Sequence, residues 1–582
     1  MGTILRVRFP ALLLSPSTHT RVLSFHFLCS LDIRVVDVRD EATAAFAADA
    51  FARRTGIPGV CVVTAGPGLT NTVTAVKNAL LAQTPLIVIG GAPVTLMKGK
   101  GALQDTDQLA LFQRTLCKHV VSIARARDIV PEMELAFQLA QSGVPGPVFV
   151  ELPLDLLYPE KVLREETSRF VSKGSGVMVA LENKAVTAYL EWHMWKLFSG
   201  LASAPATLPR PISMPLATTG EVAKALAMLR AAERPVLLVG AQAMVQPYLA
   251  AQLAAAVHAL GIPTFLSSAA RGLLGQASDI QYRQKRTQAL READVVVLAG
   301  VVQDFRLGYG RQIPRRVRII GVNRSLDELN LNRTPTLAVH GDPARFVMEL
   351  AQQANGTLGR EAYTAWHEVV GARDAARMAE IGEMAARPSP VEGKMNAVAL
   401  CAEIEKALGP DDVIVADGGD FVGTAAYSVA PRAPTGWLDP GAFGTLGVGG
   451  GFLMGANLTR STPDSVVWAI FGDGAFGWSA LEIDSCARQG IGFVAVIGND
   501  ACWSQIVRDQ EVILESRVAC DLAYVDYDVV ATGFGGVGLK LDNIAAVPAV
   551  LAKARALAAE GKPVVVNAVI AKSSFREGSI SV

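Results

Sequence analysis

Apolar residues in this chain fall in short unbroken runs, separated by longer stretches where they recur every three or four positions. "IRVVDV", "GVCVVTAG", "PLIVIGG" and "PVFVELP" lie between about Ile33 and Tyr158. "RPVLLVGAQA", "IPTFLS", "ADVVVLAG" and "VRIIGVN" lie between about Thr218 and Leu350, and "DVIVADGG", "SVVWAIFGDG", "IGFVAVIGND" and "PVVVNAVI" between about Asn396 and Val569. All-apolar runs of this length, bounded by Gly and Pro, predict strands buried on both faces of a parallel sheet, with helices in the intervening stretches. The predicted fold class is therefore α/β, with three doubly wound parallel-sheet domains. Their expected bounds are 31–165, 216–355 and 395–582. Between them lie a linker at 166–215 and a polar helical connector at 356–394. The linker holds one amphipathic piece, "AVTAYLEWHMWKLFSGL", which reads as a packing helix.

Composition narrows the class. A chain of 582 residues exceeds one core and suits about three domains at roughly 150–200 residues each. Half the residues are hydrophobic (51%) and 19% are charged, as in a well-buried globular protein. Lys+Arg and Asp+Glu are both 54, so no net field recruits nucleic acid or an anionic membrane. Seven cysteines form no CxxC pair, and seven histidines form no HExxH cluster. A disulfide framework and a zinc hydrolase are both disfavoured. No apolar run approaches the ~18–20 residues that cross a bilayer. Residues 1–30, "MGTILRVRFPALLLSPSTHTRVLSFHFLCS", carry arginines and serines but no acid. They read either as a transit or signal segment or as an atypical start.

Candidate chemistry concentrates in "IFGDGAFGWSALEIDSCARQGIGFVAVIGND", Ile470 to Asp500. The pattern is strand, tight Asp-Gly loop, helix and strand. A right-handed crossover therefore brings Asp473 and the Asn499-Asp500 pair to the same sheet edge, where such folds bind ligands. Oxygen side chains beside Gly-rich backbone and a helix N-terminus suit Mg²⁺ bridging a diphosphate. Asp and Gly would also serve a plain turn, through their tolerance of unusual backbone angles; the paired Asn-Asp at crossover distance is what favours the metal.

Gly472-Asp473-Gly474 followed by Asn499-Asp500 resembles the cofactor signature of thiamin diphosphate enzymes. The resemblance implies metal ligation by Asp473, by Asp500 or Asn499 according to register, and by the backbone carbonyl of Cys502. Gly472, Gly474, Ala475 and Asn499 would lie against the cofactor. "VVDVRDEATAAFAADAFARRTG" places Glu41 after a strand, and then come "AGPGLTN" with Pro67, Gly68 and Asn71 and "GALQDTDQ" with Gln104. This order resembles the pyrimidine-binding domain of the acetolactate synthase-like branch. It implies Glu41 and Gln104 as catalytic groups, with Glu41 also holding the aminopyrimidine. "VADGGDFVGTAA" would contact the diphosphate side through Gly419, Asp420 and Phe421. In "LDPGAFGTLGVGGGFLMGA", Gly444 and Leu446 match the segment that bends the two cofactor rings together.

The middle stretch, with "RTQALREADVVVLAG" and "DFRLGYG", is similar to the 2-hydroxyacyl-CoA lyase and oxalyl-CoA decarboxylase branch. The resemblance thus implies pyrimidine-binding, central and diphosphate-binding domains in that order. It implies a thiamin diphosphate- and Mg²⁺-dependent lyase that cleaves the C1–C2 bond of a 2-hydroxyacyl-CoA to an aldehyde and formyl-CoA. A carboligase or decarboxylase of 2-oxoacids and a non-catalytic scaffold are the alternatives. FAD is not expected. The resemblance further implies a small-molecule acyl-CoA substrate, a homodimer or homotetramer, and an endoplasmic reticulum location with membrane association; the sequence shows no anchor for it, so a cytosolic location is the alternative. Residues 1–30 match neither the first strand nor the Gly-Gly loop of the family, so the first domain is expected to have its N-terminal part missing or altered.

Overall fold

Seventeen strands build three parallel sheets in the computed structural model, which describes residues 11–14, 33–113, 115–171, 174, 176–203 and 209–577. The chain divides into two compact units. One comprises the described parts of 1–48, 58–80 and 84–212, and the other 49–57, 81–83 and the described parts of 213–582.

The first unit holds β1 (Ala11–Leu14), β2 (Arg34–Asp37), β3 (Gly59–Val63), β4 (Leu86–Ala92), β5 (His119–Ser122) and β6 (Pro147–Pro153), in the order β2-β1-β3-β4-β6-β5. β1 corrects the expectation of a missing first strand. Its backbone pairs in parallel with β2 from Ala11 opposite Arg34, and with β3 from Leu13 opposite Cys61. The physical reason is local: "ALLL" after Pro10 is an apolar run of strand length. The loop that would follow it lies outside the described residues. Val60, Ile87, Val148 and Val150 form the sheet's contribution to the core, and Met194 and Leu197 of the helix Val177–Phe198 pack on it.

The second unit holds two sheets. The central one, β7 (Pro235–Val239), β8 (Thr264–Leu266), β9 (Val295–Ala299), β10 (Arg318–Asn323) and β11 (Leu337–His340), runs β11-β10-β9-β7-β8. At its carboxyl edge the crevice is filled from within. The buried Gln242 donates to Asn323 and Gln83, each at 2.8 Å, and accepts from Arg324 N at 2.7 Å. The third sheet, β12 (Val413–Asp417), β13 (Trp437–Leu438), β14 (Val467–Gly472), β15 (Phe493–Asn499), β16 (Val537–Leu541) and β17 (Pro563–Val569), runs β13-β12-β14-β15-β17-β16. That is the topology of the first sheet repeated strand for strand. The order reverses between β12 and β14, and such a switch point opens a crevice at the strands' carboxyl ends.

Candidate active site

The crevice of the third sheet opens into a cavity of about 1340 Å³ shared with the central domain. Gly418, Gly419, Gly472, Asp473, Gly498 and Asp500, at the carboxyl ends of β12, β14 and β15, form its floor. Small residues there follow from packing. A Cβ on Gly472 would stand 3.0 Å from the Gly418 carbonyl oxygen, and one on Gly474 only 2.4 Å from the Trp503 ring. Backbone can thus approach whatever occupies the crevice.

Asp473 begins a helix, Asp473–Ser479, and its Oδ1 accepts from Gly474 N at 2.8 Å. Burial, and secondarily the facing Asp500 carboxylate, push its pKa up to about 6. Burial also raises that of Asp500. The Ser504 hydroxyl and the Lys572 charge partly offset that burial at Asp500; a buried carboxylate raised by a second one beside it suits a cation. Asp473 Oδ2 is buried with no hydrogen-bond partner among the described residues. Mg²⁺ typically takes one or two carboxylates and completes its shell with phosphate and water. The two carboxylates, joined by an incoming diphosphate, match that preference; no group of three or more His, Cys, Asp or Glu that could hold a metal occurs among the described residues. Asn499 differs from Asp500. It is fully buried and does not line the cavity; its amide donates to Val525 O and Asn567 Oδ1, each at 3.1 Å, and its Oδ1 is unpartnered among the described residues. Asp500 and Cys502 do line the cavity.

The other residues singled out in this unit converge on the same space. Gly419, Asp420 and Phe421 open the helix Gly419–Ser428, and Asp420 pairs with Arg508. Gly444 ends a turn in the left-handed conformation, and Leu446 lines the cavity against Gly418. Ala475 packs beneath Gly418.

In the first unit, Glu41 heads the helix Glu41–Thr55 and is 9% exposed. Asn71 Nδ2 donates to Glu41 Oε2 at 3.0 Å, and a Cβ on Gly68 would lie 3.5 Å from Glu41 Oε1. Pro67 starts the short helix that carries Gly68. Gln104 is half-buried, with its Oε1 3.5 Å from the Thr64 hydroxyl. Gly66, at φ 61° and ψ −113°, packs against it in backbone space open to glycine.

Several participants escaped sequence reasoning. Gln108, four positions after Gln104, is the buried glutamine of its segment. It accepts from Gly66 N at 2.8 Å and donates to Glu151 Oε2 at 2.8 Å. Asp417, just before the Gly-Gly pair, receives Gly447 N at 3.2 Å and Gly449 N at 2.8 Å, and so anchors the loop carrying Leu446. Its place at the end of a strand run was the available signal. The cavity wall contributed by the central domain carries Arg271, Arg283, Lys285, Arg286, Arg291 and Arg306. Three of these are held by carbonyls: Arg271 by Ala426 O at 2.9 Å, Arg283 by Val429 O at 2.7 Å and Arg286 by Arg306 O at 3.0 Å. Burial, reinforced by the neighbouring Arg271, lowers Arg283 to about 10. Arg286, Arg291 and Arg306 lie in "RTQALREADVVVLAG" and "DFRLGYG", but nothing local to those segments shows that they share one wall with Arg271 and Arg283.

Comparison with known proteins agrees with this geometry. Residues 17–111 match the model of the thiamine pyrophosphate enzyme N-terminal TPP binding domain, 222–350 the central domain, and 417–568 the C-terminal TPP binding domain. The chain is 46% identical to 2-hydroxyacyl-CoA lyase 2 of Danio rerio over 558 residues, covering 95% of this chain and 88% of the relative. It is 48% identical to 2-hydroxyacyl-CoA lyase 2 of Homo sapiens over 559 residues, covering 95% and 86%. Acetolactate synthase large subunit IlvG of Mycobacterium tuberculosis is more distant, at 31% over 538 residues, covering 92% and 88%. The chain belongs to the thiamine pyrophosphate enzyme family.

Proposed function

We propose that this chain is a thiamin diphosphate- and Mg²⁺-dependent carbon–carbon lyase that cleaves 2-hydroxyacyl-CoA to a one-carbon-shorter aldehyde and formyl-CoA. The observation that carries the chemistry is the Asp473–Asp500 pair at the floor of a cavity walled by arginines. Asp473, Asp500 and the carbonyl of Cys502 would hold Mg²⁺ against the diphosphate. Gly419, Asp420, Phe421, Gly472, Gly474 and Ala475 would form the close backbone wall around it. Leu446, on its anchored loop beside Gly444, would set the ring geometry. When bound, the cofactor supplies the electron sink for bond cleavage.

Glu41, held by Asn71, would carry the proton exchanged with the aminopyrimidine, beside Pro67 and Gly68. Gln104 would orient the substrate's polar head. Arg271, Arg283 and Arg286, held by carbonyls with no carboxylate in hydrogen-bond contact among the described residues, suit the phosphates of a CoA thioester, whereas Arg306 of the same wall pairs with Asp304. A 2-oxoacid has no such polyanionic handle, which favours the lyase over the carboligase. Homo-oligomeric assembly and an endoplasmic reticulum location rest on the resemblance. No helix among the described residues is long and apolar enough to cross a membrane.

The test incubates purified protein with thiamin diphosphate and Mg²⁺ against panels of 2-hydroxyacyl-CoAs and 2-oxoacids. Aldehyde and formyl-CoA should appear with the first panel. Turnover of the second panel alone would replace the lyase with the carboligase, and no turnover of either would leave the scaffold.

A further inference from the structure

The linker helix Val177–Phe198 has two apolar faces. Leu190, Met194 and Leu197 are buried on its own unit. The other face is open: Met178 is 79% exposed, Leu181 66%, Trp192 53% and Trp195 66%. With the exposed Ala185 and Ala188, these residues recur at spacings of three, four, three, four and three. That is an uninterrupted heptad seam of the kind that packs against another helix.

We infer that this seam pairs antiparallel with the same helix of a second copy, as an interface separate from the cofactor site. Three features select this occupant. An antiparallel two-fold places Ala185 opposite Ala188 of the second copy, Leu181 opposite Trp192 and Met178 opposite Trp195. Each indole then meets an aliphatic side chain, and the helices approach closely at the alanine centre. A parallel pairing would instead stack indole on indole in two layers and leave alanine on alanine in two others. Charge agrees with the antiparallel register. Lys184 and Glu191 are seven apart on one edge of the seam, and in an antiparallel pair like edges face each other. Lys184 thus meets Glu191 of the second copy, twice over. Arg164 Nη1 already holds one carboxylate oxygen of Glu191 at 2.5 Å, and the carboxylate stays 60% exposed at the rim. Finally, a membrane surface is the poorer match. A helix lying in a bilayer interface carries Lys and Arg along its polar face, whereas this one presents Glu182 and Glu191 beside Lys184 and Lys196.

Charge reversal tests the register on the full chain. Lys184→Glu should weaken self-association by about tenfold or more, because it sets two like-charge pairs across the rim. Sedimentation equilibrium should then show the assembly's mass falling to half. Lys184→Glu combined with Glu191→Lys re-pairs the rim and should recover the assembly, which a merely damaged fold would not. These positions are exposed, so melting temperatures should stay within a few degrees. Ala185→Cys with Ala188→Cys gives a second reading: mild oxidation should yield a covalent dimer on a non-reducing gel. Equal masses for all variants, with no covalent dimer, would overturn the inference. So would a Trp192→Ser/Trp195→Ser variant that keeps its mass while losing affinity for phosphatidylcholine vesicles, which would give the face to a membrane instead.

Discussion

Asp500 and Asn499 are adjacent in sequence, yet their side chains serve different neighbours, and substitution separates them. Removing the Asp500 charge relieves its repulsion of an incoming diphosphate, which Mg²⁺ would otherwise have to offset. Asp500→Asn should therefore retain cofactor and reach half-saturation at a Mg²⁺ concentration lowered several-fold, read by thermal shift against a Mg²⁺ titration. Asn499→Ala should act on the fold, since it strips the bonds to Val525 and Asn567. A loss of about 1–3 kcal/mol in urea unfolding is expected from the buried partners left behind. Should Asn499→Ala instead abolish Mg²⁺ response at unchanged stability, the ligand is Asn499. Glu41→Gln keeps an acceptor for Asn71 but cannot pass a proton. Thiamin diphosphate should still bind, while exchange of its C2 proton in deuterated water slows by about 10²–10⁴-fold by NMR; an unchanged exchange rate would refute the relay. Asp473 and the Asn499-Asp500 pair stood out in the sequence because an acid at the end of one strand run is matched by a polar pair at the end of the next. Gln108 did not, because nothing local distinguishes it from Gln104; only the approach of Gly66 and Glu151 does.

Elements carry the next level. β12 ends in Asp417, whose two backbone donors lie in the loop that presents Leu446. Burial raises its pKa from the ordinary 3.8 to about 7. A raised value means the folded state binds the proton more tightly than the unfolded chain. Its contribution to stability is thus complete below about pH 4 and is lost as pH rises through about 7. Asp417→Asn should flatten that part of the stability–pH curve, measured as urea midpoints from pH 4 to 8. An identical slope in both proteins would remove Asp417 as its source. The helix Asp473–Ser479 begins where Trp503 covers Gly474, so Gly474→Ala should cost about 1–3 kcal/mol through displacement of the indole. Interior strands such as β4, β9 and β15 are continuous apolar runs and could be read directly. Of the six edge strands, β2 and β8 lie in the apolar runs "IRVVDV" and "IPTFLS", whereas β5, β11, β13 and β16 stand in no such run. An edge strand is buried on fewer sides and needs no unbroken apolar run, as the half-buried His119–Ser122 illustrates. β1 differs: its apolar run lies in a stretch with arginines and serines but no acid, a composition that reads as a transit or signal segment.

Over the whole molecule, the arginine wall predicts how substrate is held. Arg283→Ala should raise KM for a 2-hydroxyacyl-CoA by about tenfold, the order expected for one charge-assisted contact, and weaken the dependence of KM on salt. The C2 proton exchange of bound cofactor should be untouched; an equal fall in exchange would mean the arginine supports the cofactor site and not the substrate. Local periodicity determined three parallel α/β units and placed Glu41, Asp473 and Asp500 just past apolar strand runs, because burial on both faces and backbone angles at tight turns leave few residue choices. What only the tertiary structure decided are relations between distant segments. These include the repeated strand order of the first and third sheets, Asp417 gripping a loop some thirty residues on, and guanidiniums from separate stretches gathered on one cavity wall. The seam of Val177–Phe198 also belongs there. Its heptads were present in the sequence, but which of its two apolar faces the core would claim depended on what packed beside it.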